Sequence, residues 1–241
     1  MEWRDEGVVI GVRPHGETSA IAEILTAEHG RCLGMVRGGR SRQMRPVLQP
    51  GNLVMATWRA RLEEHLGTFQ LEPLSLKVGY ILANPLRLSG LSSLMGLAQC
   101  LPEREPHPRL YHAAHVVMSM IENDALWPAL LVRWEIGLLD ELGFGLDLTQ
   151  CAATGGIEDL CYVSPKSGRA VSRAAGFPYH DRLFMLPEFL RGGDGASIDD
   201  IVTGLKITGH FLQRHVFEPR AMTMPAARAW LAEGLAQRAA A

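Results

Sequence analysis

Along the first 75 residues the apolar positions come in short runs, β-branched or alternating with polar ones, and glycine or proline interrupts them about every ten residues. Five strands are predicted, at Gly7–Arg13, Ala20–Thr26, Arg31–Arg37, Asn52–Arg59 and Gly67–Leu71. Turns fall at Pro14-His15-Gly16, Glu28-His29-Gly30 and Gln49-Pro50-Gly51, and the longest loop spans Gly38–Pro46. Strands so short and so closely spaced suit a small closed barrel of the OB type, which leaves no free sheet edge and commonly binds single-stranded nucleic acid. An SH3-like barrel fits the same pattern.

From about Lys77 the period lengthens towards 3.6, with Leu91, Leu94, Met95 and Leu97 in one segment and Val116, Val117, Met120 and Ile121 in the next. Pro102, Pro106 and Pro108 separate the two, and Pro128 suits the first turn of a third helix that runs to about Leu142 and stops at Gly143. Leu130, Leu131, Trp134, Ile136, Leu138, Leu139 and Leu142 almost encircle that helix, which predicts a central position. Gln150–Gly176 is irregular and glycine-rich, with a hairpin expected across Leu160–Val163 and Arg169–Ser172. Helical periodicity returns at Pro187–Leu190, Ile198–Val216 and Pro225–Ala236. The predicted architecture is α+β and multidomain: an OB-fold β-barrel over residues 1–75, an α-helical domain over 76–149 and 179–241, and an insertion over 150–178.

The formal net charge of −2 argues weakly against nucleic acid, but the sum conceals a local asymmetry. Between His29 and Leu62 stand seven arginines and no acid, whereas Leu76–Gln150 carries eight acids and five bases. Arg31, Arg37, Arg40, Arg42 and Arg45 lie on a strand and the Gly38-Gly39 loop, where several guanidiniums can meet one phosphate backbone with no carboxylate nearby. A solvated loop kept soluble by arginine is the bland alternative. Trp58, beside Arg59, offers a base-stacking surface or a core tryptophan.

The residues for catalysis or metal binding are scattered. No G-x-S-x-G, Walker A, G-x-G-x-x-G or H-E-x-x-H pattern occurs. Gly192-Gly193-Asp194-Gly195 lacks a lysine and carries an acid that repels phosphate, so it reads as a linker. Asp140 and Glu141 point to different helix faces, and His107, His112 and His115 have no cysteine or clustered carboxylate beside them. Cys32, Cys100, Cys151 and Cys161 form no C-x-x-C pair. A non-enzymatic binding protein is expected; the rivals are an adaptor whose barrel never touches DNA and a metal-dependent nuclease. With no apolar run of membrane-spanning length and a charged N-terminus, the expected location is cytoplasmic and not at a membrane.

Glu6-Gly7-Val8-Val9-Ile10, Gly16-Glu17-Thr18-Ser19, Glu28-His29-Gly30-Arg31, Val36-Arg37-Gly38-Gly39-Arg40 and Gln49-Pro50-Gly51-Asn52 follow one another in an order and spacing similar to the RecO family of recombination mediators. Arg133-Trp134-Glu135, then Leu138 to Gly145 and on to Cys151, resemble that family's core helix and its exit, so the likeness covers essentially the whole chain. The resemblance implies single-stranded DNA binding, annealing of complementary strands and, with RecR as partner, loading of RecA onto strands coated by single-strand-binding protein. It also implies a zinc-finger-like insertion, which in many relatives holds zinc through two C-x-x-C pairs. Here Cys151 remains, but its mate position is Thr154 and the second pair falls near Ser172 and Ala175, with Cys161 off-register. The expectation is therefore no zinc and no cofactor, with the Leu160–Ser172 hairpin as the local staple. Finally, the family docks the acidic, hydrophobic tail of single-strand-binding protein on its helical domain. Arg133 matches the family position, which implies a groove with Leu130 and Gly137; an arginine capping internal contacts remains the alternative.

Overall fold

The computed structural model describes residues 1–62, 64–76, 78–193 and 195–240, so Asp194 of the linker lies outside the described residues. Strands β1 (Glu2–His15), β2 (Ser19–Thr26), β3 (Gly30–Val36), β4 (Leu53–Arg59) and β5 (Thr68–Ser75) form a closed barrel in the order β1-β2-β3-β5-β4, with β4 returning to β1. Every neighbouring pair is antiparallel except β3 and β5, which run parallel and share the single register pair Met35 and Thr68. This is the OB-like arrangement, and it excludes the SH3-like alternative.

Alternation builds the barrel wall at β3 and β4, whereas β1 and β2 bury consecutive residues. Along β3 every second residue from Gly30 to Val36 is buried, and along β4 Val54, Ala56 and Trp58 point inward. Val9, Ala22, Ile24, Cys32, Phe69 and Leu71 complete the core. β1 is longer than the sequence predicts because its charged first residues also pair. Glu2–Val8 face β4, while Gly7–His15 face β2. Gly7 permits this double use: a Cβ there would stand 2.3 Å from the Ile24 side chain. Arg59 with Glu2 at 2.8 Å, and Arg4 with Glu72 at 3.1 Å, lie along the same rim.

The chain divides into two compact units, Met1–Met118 and Ser119–Ala241. Residue 75 ends the last barrel strand, but packing carries the first unit further, through α1 (Val78–Ile81), α2 (Pro85–Ala98) and most of α3 (Pro108–Ser119). Asn84 caps α2 by accepting from the Leu86 and Arg87 amides. Gln99 Nε2 donates to Ile10 O at 2.8 Å and Tyr111 Oη to Glu6 O at 3.2 Å, so β1 is the seat of these helices.

In the second unit α4 (Trp127–Glu141) buries Trp127, Leu131, Trp134, Glu135, Leu138 and Leu139, which accords with its central position. β6 (Leu160–Val163) and β7 (Ala170–Ser172) form the expected hairpin, extended by β8 (Phe184–Met185) into a sheet of order β7-β6-β8. The short α5 (Arg173–Gly176) follows β7. α6 (Ile198–Leu212) begins at a Ser197–Asp200 capping box and ends in a π turn over Gln213–Phe217; α7 (Ala226–Ala239) closes the chain. No described helix is long and apolar enough to cross a membrane.

Candidate nucleic-acid interface

The arginine-bearing loop between β3 and β4 is anchored along its length. Gly38 turns the chain at φ +65°, and Gly39 sits so close to β2 that a Cβ there would be 2.8 Å from the Ala20 Cβ. Arg40 N donates to Thr18 O at 2.9 Å, and the Met44 and Arg45 amides both donate to Ser41 O, making one helical turn. Val47 and Leu48 are buried, Met44 packs against the barrel core, and the buried Asn52 donates to Pro46 O at 2.8 Å and Val47 O at 3.3 Å. The backbone is thereby fixed while Arg37, Arg40, Arg42 and Arg45 stand exposed. Arg40 Nη1 donates to Gly16 O at 2.8 Å. Among the described residues none of these four arginines has an acidic partner.

Two grooves flank the loop. One, of about 370 Å³, is lined by Val12, Pro14, Ala20, Gly39, Arg40, Arg45, Leu48 and Gln49. The other, of about 400 Å³, opens along the β3–β5 seam, where Arg37, Met44, Thr57, Arg59, Thr68 and Gln70 are the principal lining residues. Thr57 and Gln70 escaped the sequence reading; the alternation of β4 and β5 was the signal that places them on the outer face.

The other expected contacts separate from this group. Arg31 is not free for phosphate: Nη1 pairs with Glu23 at 3.2 Å, Nε donates to Leu101 O at 2.8 Å, and only 19% of the side chain is exposed. It joins the barrel to the segment after α2. Trp58 is corrected from a stacking surface to a core residue, 3% exposed, with Nε1 donating to Leu33 O and Leu66 O. Trp3 stacks on it at 5.9 Å and on His29 at 4.3 Å. Arg59 is exposed but bound to Glu2, and that hydrogen bond holds the Glu2 carboxyl below its usual range.

Arg133, on α4, lines a groove of about 360 Å³ with Ile136, Phe189, Leu190, Gly192, Gly193 and Gly195. Leu130 and Gly137, expected beside it, do not line this groove. The guanidinium donates to Phe189 O at 3.1 and 2.7 Å, lies 5.8 Å from the Phe189 ring centre, and reaches Gly193 O at 3.4 Å. It therefore orders the groove's own wall.

A tetrahedral zinc site does not fit the residues around Cys151. The buried sulfur accepts from Ser172 N at 3.3 Å and the thiol donates to Ser172 Oγ at 3.5 Å, while Thr154 supplies another hydroxyl. Burial pushes the thiol up, but these hydrogen bonds outweigh it and bring it down to about 6. Ala152 N donates to Ala170 O at 2.8 Å, so hydrogen bonds tie this turn to β7. Among the described residues the group with metal-ligand spacing is Asp5, Glu28 and His29, within 4.8 Å of one another. Both Asp5 oxygens already accept backbone amides, from Glu6 and Glu28. Among the described residues, His107, His112 and His115 belong to no such group.

Comparison with known proteins agrees with this architecture. The family model described as Recombination protein O N terminal matches residues 1–76, and Recombination protein O C terminal matches 82–223. The chain is 54% identical over 234 residues to the DNA repair protein RecO of Methylobacterium nodulans, covering 95% of each. It is 51% identical over 246 residues to that of Methylorubrum populi, covering 99% of this chain and 100% of the relative. The Rhizobium etli protein of the same name is 50% identical over 230 residues, 95% of this chain and 90% of its own. With both family models matched in order and these relatives aligned almost end to end, the chain belongs to the RecO family and has a role in DNA repair.

Proposed function

We propose that this protein is a recombination mediator that binds single-stranded DNA on its barrel and anneals complementary strands, without covalent chemistry and without a resident metal. The observation that carries the reading is the set of four exposed arginines, Arg37, Arg40, Arg42 and Arg45, on an anchored loop with no acidic partner among the described residues. Phosphate contacts of this kind are insensitive to sequence and release counterions, as annealing of arbitrary strands requires. An anchored backbone lowers the ordering cost of binding. Arg31 and Trp58 support the barrel, and Arg59 joins the contact only by exchanging Glu2 for a phosphate.

With RecR as partner, the protein would load RecA onto strands coated by single-strand-binding protein. The Arg133 groove, apolar at Ile136, Phe189 and Leu190 with a guanidinium at its wall, suits that protein's acidic, hydrophobic tail.

The test is the triple variant Arg37→Glu, Arg40→Glu and Arg42→Glu, assayed by anisotropy of a labelled oligonucleotide. Lost binding with an unchanged circular dichroism spectrum and melting temperature is expected. Undiminished binding in a folded variant would move the DNA elsewhere and favour an adaptor role for the barrel.

A further inference from the structure

The arginines of the loop do not line one wall. Arg40 and Arg45 face the groove against β1 and β2, whereas Arg37 joins Arg59 in the groove against β4 and β5. Among the described residues the two grooves share no lining residue, and no acidic side chain lines either. Between them stands the loop itself, a fixed ridge pinned by the Arg40–Thr18 hydrogen bond on one side and by Met44 on the barrel core on the other. Arg42 is exposed on the ridge's helical turn and lines neither groove.

One continuous strand would be served best by guanidiniums in a single row. Two pairs on opposite flanks of a rigid ridge, Arg40 with Arg45 and Arg37 with an Arg59 that exchanges Glu2 for phosphate, can neutralise two separate backbones. From the arrangement of these four side chains we propose that the barrel holds two single strands of DNA at once, one in each groove, with the β3–β4 loop as the divider. This rests on the DNA-binding reading above and says how that surface would anneal. Two phosphate chains brought within the screening distance, about 8 Å at physiological salt, repel each other, and cations on both flanks with Arg42 between them offset that repulsion. The bases of each strand are left free to pair beyond the ridge. Thr57, Thr68 and Gln70 give the second groove neutral hydrogen-bonding groups for sugar or phosphate oxygens.

The experiment counts strands per chain. The full protein is titrated at low salt with a labelled oligothymidylate of about eight nucleotides, a length within the ~4–16 that one barrel covers. Annealing of complementary labelled strands is followed in parallel by energy transfer. The wild type should take up two oligonucleotides per chain. Arg40→Glu with Arg45→Glu should take up one, and so should Arg37→Glu with Arg59→Glu. Each pair of substitutions should slow annealing at least about tenfold while the remaining strand binds within a few-fold of its original affinity. All four together should abolish binding. If reversal at Arg59, next to Glu2, unfolds the rim, Arg37→Ala with Arg59→Gln replaces that pair. A wild-type stoichiometry of one, or loss of all binding from either pair alone, means a single continuous track and overturns the two-strand proposal while leaving the DNA-binding reading intact. If the fourfold variant binds as the wild type does, the loop does not contact DNA and both fall.

Discussion

Replacing Arg228 should unfold the second unit far more readily than any surface change, because its partner is left charged and out of water. Glu135 on α4 is 0% exposed and Arg228 on α7 is 5% exposed. The guanidinium donates through Nε to Glu135 Oε1 at 2.9 Å and through Nη2 to Oε2 at 2.8 Å; Nη2 also reaches Leu205 O at 2.8 Å and Thr208 Oγ1 at 3.0 Å. Thr208 donates in turn to Glu135 Oε2, so α4, α6 and α7 meet at one satisfied cluster. In Arg228→Met the carboxylate keeps only the threonine. Breaking a buried pair from one side costs about 3–5 kcal/mol. Ser119–Ala241 is intermediate between the size classes for which 1 kcal/mol moves the melting temperature by about 2–4 °C and about 4–8 °C, so the shift should be roughly 10–20 °C. Glu135→Leu combined with Arg228→Met should recover most of it, since well-packed apolar replacements of an ion pair are often neutral or stabilising by about 1–4 kcal/mol. The assay is calorimetric melting of the wild type, both single variants and the double. A single variant that costs under about 1 kcal/mol, or a double as unstable as the worse single, would refute the argument from desolvation.

Four phosphate contacts on single-stranded DNA give a log–log salt slope of about −2.8, so affinity should fall roughly 50-fold between 50 and 200 mM salt; a flat dependence in anisotropy titrations would remove the arginines from the contact. The Cys151 thiol, held at about 6, should show thiolate ultraviolet absorbance at neutral pH that Cys151→Ala lacks. Because this acid is lowered on folding from an ordinary value of 9.0, its contribution to stability is present above pH 9 and is lost as pH falls through 6; the melting-temperature gap between wild type and Cys151→Ala should narrow over that range. Gly30→Ala should destabilise the first unit, because φ is +64° and a Cβ would stand 2.0 Å from Glu105 O; an unchanged melt would contradict that geometry. Arg133→Ala should weaken capture of a peptide with the sequence of the single-strand-binding protein tail, read by anisotropy, and equal binding would exclude this groove.

Where side chains obey a local period, the sequence was legible. Alternation in β3 and β4 placed the barrel core, and the apolar collar of Leu131, Trp134, Leu138 and Leu139 placed α4 at the centre of its unit. What escaped depends on contacts distant in sequence. Arg31 reads like its neighbours in the basic strip, and its pairing with Glu23 on β2 and the approach of Leu101, 70 residues on, show that it is part of the scaffold. Trp58 sits on an inward position of β4, so alternation contained its correction; the adjacent arginines drew it outward. Arg228 had no local signal at all, because its partner lies 93 residues away. The division of the arginines between two grooves follows from how the loop lies on the barrel, which the order of residues does not encode by itself.

The most direct measurement is photocrosslinking from a strand carrying a reactive base or phosphate, with the attached peptide identified by mass spectrometry on the full-length protein. Cross-links concentrated in residues 37–49 and on the strands facing the two grooves, β1 and β2 on one side and β4 and β5 on the other, and lost at high salt, are the expected result. Cross-links confined to Ser119–Ala241, with the β3–β4 loop untouched, would contradict the claim that these guanidiniums hold the sugar–phosphate chain.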